Sequence, residues 1–113
     1  MNKMRRKEIY NSISKLMFIK SKIELKYDDN EISDNLQDVY DDVDCILSDE
    51  TSYMENIPEN LQGGSRYEIA EEACDNLQEA VDCIEAAIDN CDDIEDVIKY
   101  IDEAIGYLED ASF

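Results

Sequence analysis

Carboxylates dominate the reactive groups of this chain. Its 113 residues hold 30 Asp and Glu against ten Lys and Arg, with four Cys and no His, for a net charge of −20. Carboxylates support three kinds of chemistry: a pair moves protons, a cluster holds a divalent cation, and an extended array imitates a polyanion. Proton transfer needs one carboxyl set apart from its neighbours beside a substrate cleft. Here acids stand everywhere. No Gly-rich phosphate loop and no nucleophile with a placed base accompanies them, so no catalytic residue and no enzyme is expected. Calcium would find oxygen in Asp28-Asp29-Asn30-Glu31 and Asp41-Asp42-Val43-Asp44, but neither run has the Gly at position six or the Glu at position twelve of an EF-hand loop. Cys45, Cys74, Cys83 and Cys91 form no CxxC pair. Zinc is not expected without that spacing or a mixed Cys/His set. The reading is therefore no metal, no cofactor and reduced thiols.

The array remains, and its distribution is uneven. Residues 1–27 carry Lys3, Arg5, Arg6, Lys7, Lys15, Lys20, Lys22 and Lys26 against Glu8 and Glu24. Residues 28–113 carry 28 acids against Arg66 and Lys99. Glu68, Glu72, Asp75, Glu79 and Asp82 recur at steps of four and three, and Asp89, Asp93 and Asp96 extend the line. Asp34, Asp38, Asp41 and Asp42 do the same upstream. Like charges at i,i+4 oppose helix formation, so folding alone does not favour the pattern. A surface this negative repels nucleic acid and attracts proteins that hold nucleic acid. These twelve residues are the candidate partner-binding site.

Helices must position them. Three Gly, one Pro and no Trp leave few turns, which predicts an all-α chain of long helices. The one strong break is Asn56-Ile57-Pro58-Glu59-Asn60-Leu61-Gln62-Gly63-Gly64, where Pro stops a helix and Gly-Gly frees the backbone. Ser65-Arg66-Tyr67-Glu68 then reads as a capping box. From there Ala70, Cys74, Leu77, Val81, Ile84, Ile88 and Cys91 form a heptad seam, resumed by Ile94, Ile98, Ile101, Ile105 and Leu108 after a slip of one residue. One helix over 66–110, irregular near 91–94, is expected. A second seam runs through Ile32, Leu36, Val39, Val43 and Ile46. A third runs through Ile9, Ile13, Leu16, Ile23 and Tyr27, with Lys20 interrupting. Between them, Asp28-Asp29-Asn30 can cap a new helix or lie on the outside of a continuous one.

The organisation expected is one domain: a basic helix over 1–27, an acidic helix over 28–56, a turn over 57–64 and a long acidic helix over 65–110. Arms 12–56 and 66–110 match in length, at about 68 Å each. The architecture is a long antiparallel, coiled-coil-like helical hairpin, or three helices if the chain bends at 28–30. Facing positions sum to roughly 122, as in an αα-hairpin. Leu16 then meets Gly106 in close packing, Tyr27 meets Glu95, and Val43 meets Glu79 or its seam neighbours Leu77 and Val81. Lys15, Lys20, Lys22 and Lys26 lie beside Asp96, Asp102, Glu103 and Glu109. Residues 1–11 project, leaving the Lys3–Lys7 cluster without an intrachain partner. Such a rod carries one acid per roughly 2.4 Å, against one charge per about 1.7 Å in duplex DNA. The tyrosines near acids, Tyr40, Tyr53, Tyr67, Tyr100 and Tyr107, are expected to pack beside the seams with their hydroxyls in water.

The segment from Asn56 to Glu68, followed by Ala70-Glu71-Glu72-Ala73 and Asp75-Asn76-Leu77-Gln78-Glu79-Ala80, resembles a pattern in small acidic helical-hairpin proteins of bacteriophages and prophages. The likeness covers residues 49–90 and is specific in the turn. It implies a hairpin and a mobile-element origin. Joined to the charge, it leads to an expected role as a DNA-mimicking inhibitor of a host nuclease or other nucleic-acid-binding protein, an anti-CRISPR or anti-restriction protein above all. The alternative is a structural or adaptor coiled coil of a phage, such as an assembly chaperone or small virion component. The acidic arm should not bind DNA itself. No apolar run is long enough for a signal peptide or a membrane span, so the expected location is the cytoplasm of a host bacterium. The apolar seams would also allow a homodimer.

Overall fold

The computed structural model describes residues 1–112, and the chain is all-α. Helix α1 spans Lys3–Leu25, α2 Asp29–Glu55, α3 Ser65–Asp89 and α4 Ile94–Ala111, with a single 3₁₀ turn at Glu59–Leu61. Asn2, Asp28 and Asp93 start three of the helices, each side chain accepting from backbone N–H groups of the first turn. These caps satisfy donors that no helix can satisfy internally.

The antiparallel pairing of a hairpin is present. Helix α2 packs on α3 across the turn, and α1 packs on α4. Lys20 donates to Asp102 at 2.8 Å, in the register expected from folding about residues 57–64. The hairpin is nevertheless doubled over. The expected single helix over 66–110 is broken at residues 90–93, and the first arm is broken at residues 26–28. The two breaks lie side by side: the Cys91 thiol donates to the Asp29 carbonyl at 3.4 Å, and the Tyr27 hydroxyl sits 4.0 Å from Cys91 Sγ. Folding there sets α1 against α2 and α3 against α4. The result is a four-helix ring with α1 and α3 at opposite corners, 52 × 22 × 18 Å in extent.

Two local features make the second break. The heptad slips there, so a continuous helix would rotate its apolar stripe away from the core. Asn90 and Asp93 supply the ends: the Asn90 amide donates to the Ala86 carbonyl at 2.7 Å, and Asp93 accepts from Asp96 N–H. Width of the apolar arc completes the argument. On α3, Ala73, Ala80 and Ala87 are buried beside Cys74, Leu77, Val81 and Ile84. That arc is too wide for one partner helix and suits two.

Doubling changes which residues are inside. On α1 the core stripe is Ile9, Ser12, Leu16, Ile19 and Ile23. Ile13 and Tyr27 only flank it, and Lys20 leaves it to reach α4. On α4 the stripe is Val97, Ile101, Ala104, Leu108 and Ala111. Ile98 and Ile105 flank it, while Ile94 is 42% exposed. The expected capping box is not formed. Gly64 is the N-cap, no side chain caps α3, and Glu68 N–H donates to the Gly64 carbonyl. No described residue has a positive φ; Gly64 instead serves a close approach, since a Cβ there would lie 3.2 Å from the Leu61 carbonyl oxygen.

Gly106 does not pack against Leu16. It is exposed, and a Cβ there would meet nothing within 4 Å. Gly106→Ala is therefore expected to raise stability by about 0.5–1 kcal/mol through helix propensity alone. Urea unfolding followed by circular dichroism checks this; a loss of stability would mean that α4 is closed off at this point.

Candidate acidic binding faces

Asp34, Asp38 and Asp41 are exposed on α2, and Glu68, Glu72, Asp75, Glu79 and Asp82 are exposed on α3. All lie opposite the core stripe of their helix, and α2 and α3 are neighbours, so the two arrays share one side of the bundle. Asp89 ends α3, and Asp93 and Asp96 open α4 at the far end. Asp42 departs from the array. It turns toward α1, where Lys15 approaches it at 2.6 Å. Glu103 and Glu109, expected beside lysines of the first arm, form no ion pair among the described residues, and with Glu95 and Asp110 they are exposed on α4. They extend the negative surface to a third helix.

The field of this surface shows in its neighbours. The Tyr107 hydroxyl titrates above the usual range, first because of the Glu79 carboxylate and then burial. Burial comes first for Tyr40, reinforced by Glu85 and Asp44. The Cys83 thiol is pushed up to about 11 by burial and by Glu103, Glu79 and Asp82. Each group is held toward its protonated form by burial together with the surrounding negative field, burial leading for Tyr40 and Cys83 and the field for Tyr107. Tyr40, Tyr100 and Tyr107 pack against the core as expected. Gln37 and Gln78 donate to Asp41 and Asp82, each at 3.1 Å. Doubling the hairpin also concentrates the charge. The 28 acids over a 52 Å length give one per roughly 1.9 Å, still closer to the duplex value of about 1.7 Å than the extended hairpin would be.

Cations sit mostly at the opposite corner, on α1. Two of the expected pairings change partner: Lys15 meets Asp42, and Lys22 meets Glu31, both on α2. Residues 1–11 do not project. Folding brings the start of α1 beside the end of α2, where Arg5 Nε lies 2.6 Å from Glu50 Oε2 and its guanidinium stacks 5.4 Å from the Tyr53 ring centre. Glu50 is fully buried. A signal for it was available, since Ile46 and Glu50 continue the four-and-three spacing of the α2 stripe.

The surface grooves are open and shallow. One, between α1 and α2, is lined by Asn11, Ser14, Lys15 and Asp42. Another joins Met1, Arg6, Ile69, Glu72 and Asp110. Among the described residues, no three Cys, Asp or Glu side chains converge as a metal cluster would require, and no helix is long and apolar enough to cross a membrane. Comparison with protein families, characterised proteins and solved structures gives no match.

Proposed function

We propose that this chain is a non-catalytic, acidic inhibitor that occupies the nucleic-acid-binding channel of a host protein. A phage-encoded anti-CRISPR acting in the bacterial cytoplasm on a CRISPR nuclease is the form to assay first. One observation carries the reading. Exposed carboxylates cover the outer faces of α2, α3 and α4, and the acids of residues 28–113 together average roughly one per 1.9 Å of the 52 Å bundle, with Arg66 and Lys99 the only cations in that span. Nucleases of that kind hold a heteroduplex in a positively charged channel and contact its backbone, which is the chemistry a dense carboxylate face can meet. A second reading, a structural or adaptor coiled coil of a phage, is favoured by apolar residues left exposed on α1.

Changing Glu72, Asp75, Glu79 and Asp82 together to their amides tests the first reading. Shape is kept while four charges go. Like-charge repulsion falls, so the melting temperature is expected to rise slightly. Competition with DNA for the nuclease should weaken more than tenfold at low salt, because close interfacial charge pairs are each worth on the order of 1 kcal/mol or more. Gel-shift competition across a salt series measures it. Tight, salt-insensitive binding with DNA still held would remove mimicry.

A further inference from the structure

The outer face of α1 is unlike the rest of the molecule. Met4 is 69% exposed, Tyr10 53%, Met17 57%, Phe18 61% and Leu25 88%. These residues lie on the side away from Ile9, Leu16, Ile19 and Ile23, so α1 has apolar residues on both faces. Met4, Phe18 and Leu25 fall on one line with Lys7, Asn11, Ser14 and Ser21, in alternating steps of three and four. This second heptad line faces solvent with apolar residues towards its ends, and Tyr10 and Met17 flank it. Small Ser14 stands near the middle, where helices could come closest.

Charge selects the occupant. Lys3, Arg6 and Lys7 are exposed at the start of α1 and have no ion-pair partner among the described residues. Glu24, Asp28 and Asp29 are exposed at its other end, where they outnumber the exposed Lys26. An antiparallel second α1 therefore brings each positive end to a negative end. Arg6 and Glu24, eighteen residues apart, lie on the same flank of the helix, as the 3.6-residue period requires. In an antiparallel pair that flank meets itself. A nucleic acid is the poorer match, because Arg5, Lys15, Lys20 and Lys22 are already paired within the chain and a net charge of −20 repels phosphate at long range.

We infer that the exposed seam of α1 is the interface of a symmetric homodimer, with the α1 helices of two copies packed antiparallel about Ser14. Among the four helices, α1 alone is basic, so two copies approach there with least repulsion. The acidic α3 faces, at the opposite corner of each bundle, stay outward and free. From Met4 to Leu25 the contact runs about 32 Å. It covers on the order of 600–800 Å² per copy, the size of a standard specific interface. The inference rests on α1 and is independent of what the acidic faces bind.

Sedimentation of the full chain over micromolar to millimolar concentration tests it. Wild type is expected at twice the 13.0 kDa chain mass. Phe18→Lys with Leu25→Lys should give a monomer of unchanged helicity, since both side chains are exposed. Arg6→Glu should weaken association about tenfold, and adding Glu24→Arg should restore it, a rescue that general loss of folding cannot produce. A wild-type monomer throughout, or a dimer that persists in the Phe18/Leu25 variant, overturns the proposal. So does a monomer that binds a labelled DNA duplex through this face, which would assign the face to nucleic acid.

Discussion

The Leu77→Asp variant is expected to lose its helical circular dichroism at room temperature. Leu77 is fully buried on α3 and belongs to the central cluster with Leu36, Val43, Ile84 and Ile101. Substitution removes the burial of a leucine, about 2–3 kcal/mol. It also places a carboxyl among apolar groups without a partner, at several kcal/mol more. A domain of this size has only about 5–15 kcal/mol in all, and self-repulsion at −20 lowers that reserve. Ile84→Asp, at a position 1% exposed, should behave alike. Ile94→Asp is the informative control. Heptad spacing put Ile94 in the same seam, whereas the structure leaves it 42% exposed and next to the cap Asp93. Its substitution should cost under about 1 kcal/mol. Equal collapse of all three would place Ile94 in the core and move the α4 stripe back to Ile94, Ile98 and Ile105.

That contrast shows where sequence reasoning holds and where it stops. Helix content, the turn after Pro58 and the register linking Lys20 to Asp102 follow from local composition and from counting residues about one loop. The α2 stripe is legible from Ile32 to Ile46 because its spacing never slips, and only Glu50, a charged residue continuing it, escapes a reading by hydropathy. On α1 and α4 the expected Ile9, Leu16, Ile23, Ile101 and Leu108 are buried, but other positions are off by one, Ile13 for Ser12, Ile98 for Val97 and Ile105 for Ala104. The cause is physical. A helix in a two-helix hairpin buries one narrow seam, while a helix in a ring of four buries a wider arc whose centre lies between its two neighbours. Bulky residues at the edge of that arc look like its centre when spacing alone is read. Small or polar residues at the true centre, Ser12 and Ala104, carry no hydropathy signal. The alanines at 73, 80 and 87 carried the information that α3 has two partners, through a sevenfold repeat beside an existing seam.

Candidate site residues were easier to place than the core. An acid opposite a correctly read stripe must face solvent, and Glu68 to Asp82 do. Asp42 pairs with Lys15 because its neighbour is α1, whose position depends on the break at 26–28. That break could be read either way. Asp28 now caps α2 through two backbone N–H groups, one of the two uses open to it. Doubling also changes the functional argument. It shortens the molecule, raises its linear charge density and gathers the basic helix at one corner, away from α3. An extended hairpin would have spread the same charges along one axis with the basic end at a tip.

Removing Arg5 should be the most damaging change available outside the apolar core. Arg5 precedes Ile9 by four residues on α1, and Glu50 follows Ile46 by four on α2, so both stand on core stripes and close one end of the bundle as a polar layer. Glu50 Oε2 accepts from Arg5, while Oε1 has no hydrogen-bond partner. Arg5→Ala strands the whole carboxyl in a buried layer near Cys74, whose thiol contacts Thr51, and breaking a buried pair from one side costs about 3 kcal/mol or more. Loss of the stacking on Tyr53 adds to this. Arg5→Met with Glu50→Leu should recover most of the loss, since apolar side chains of similar volume need no partner there. Urea unfolding of the two variants and wild type measures both steps. The pair would then act as a register device: it holds the first turn of α1 against the last turns of α2, although either helix could slide by a turn and keep apolar contact. A cost below about 1 kcal/mol for Arg5→Ala would mean that Glu50 reaches water when its partner goes, and that the end of the bundle opens readily.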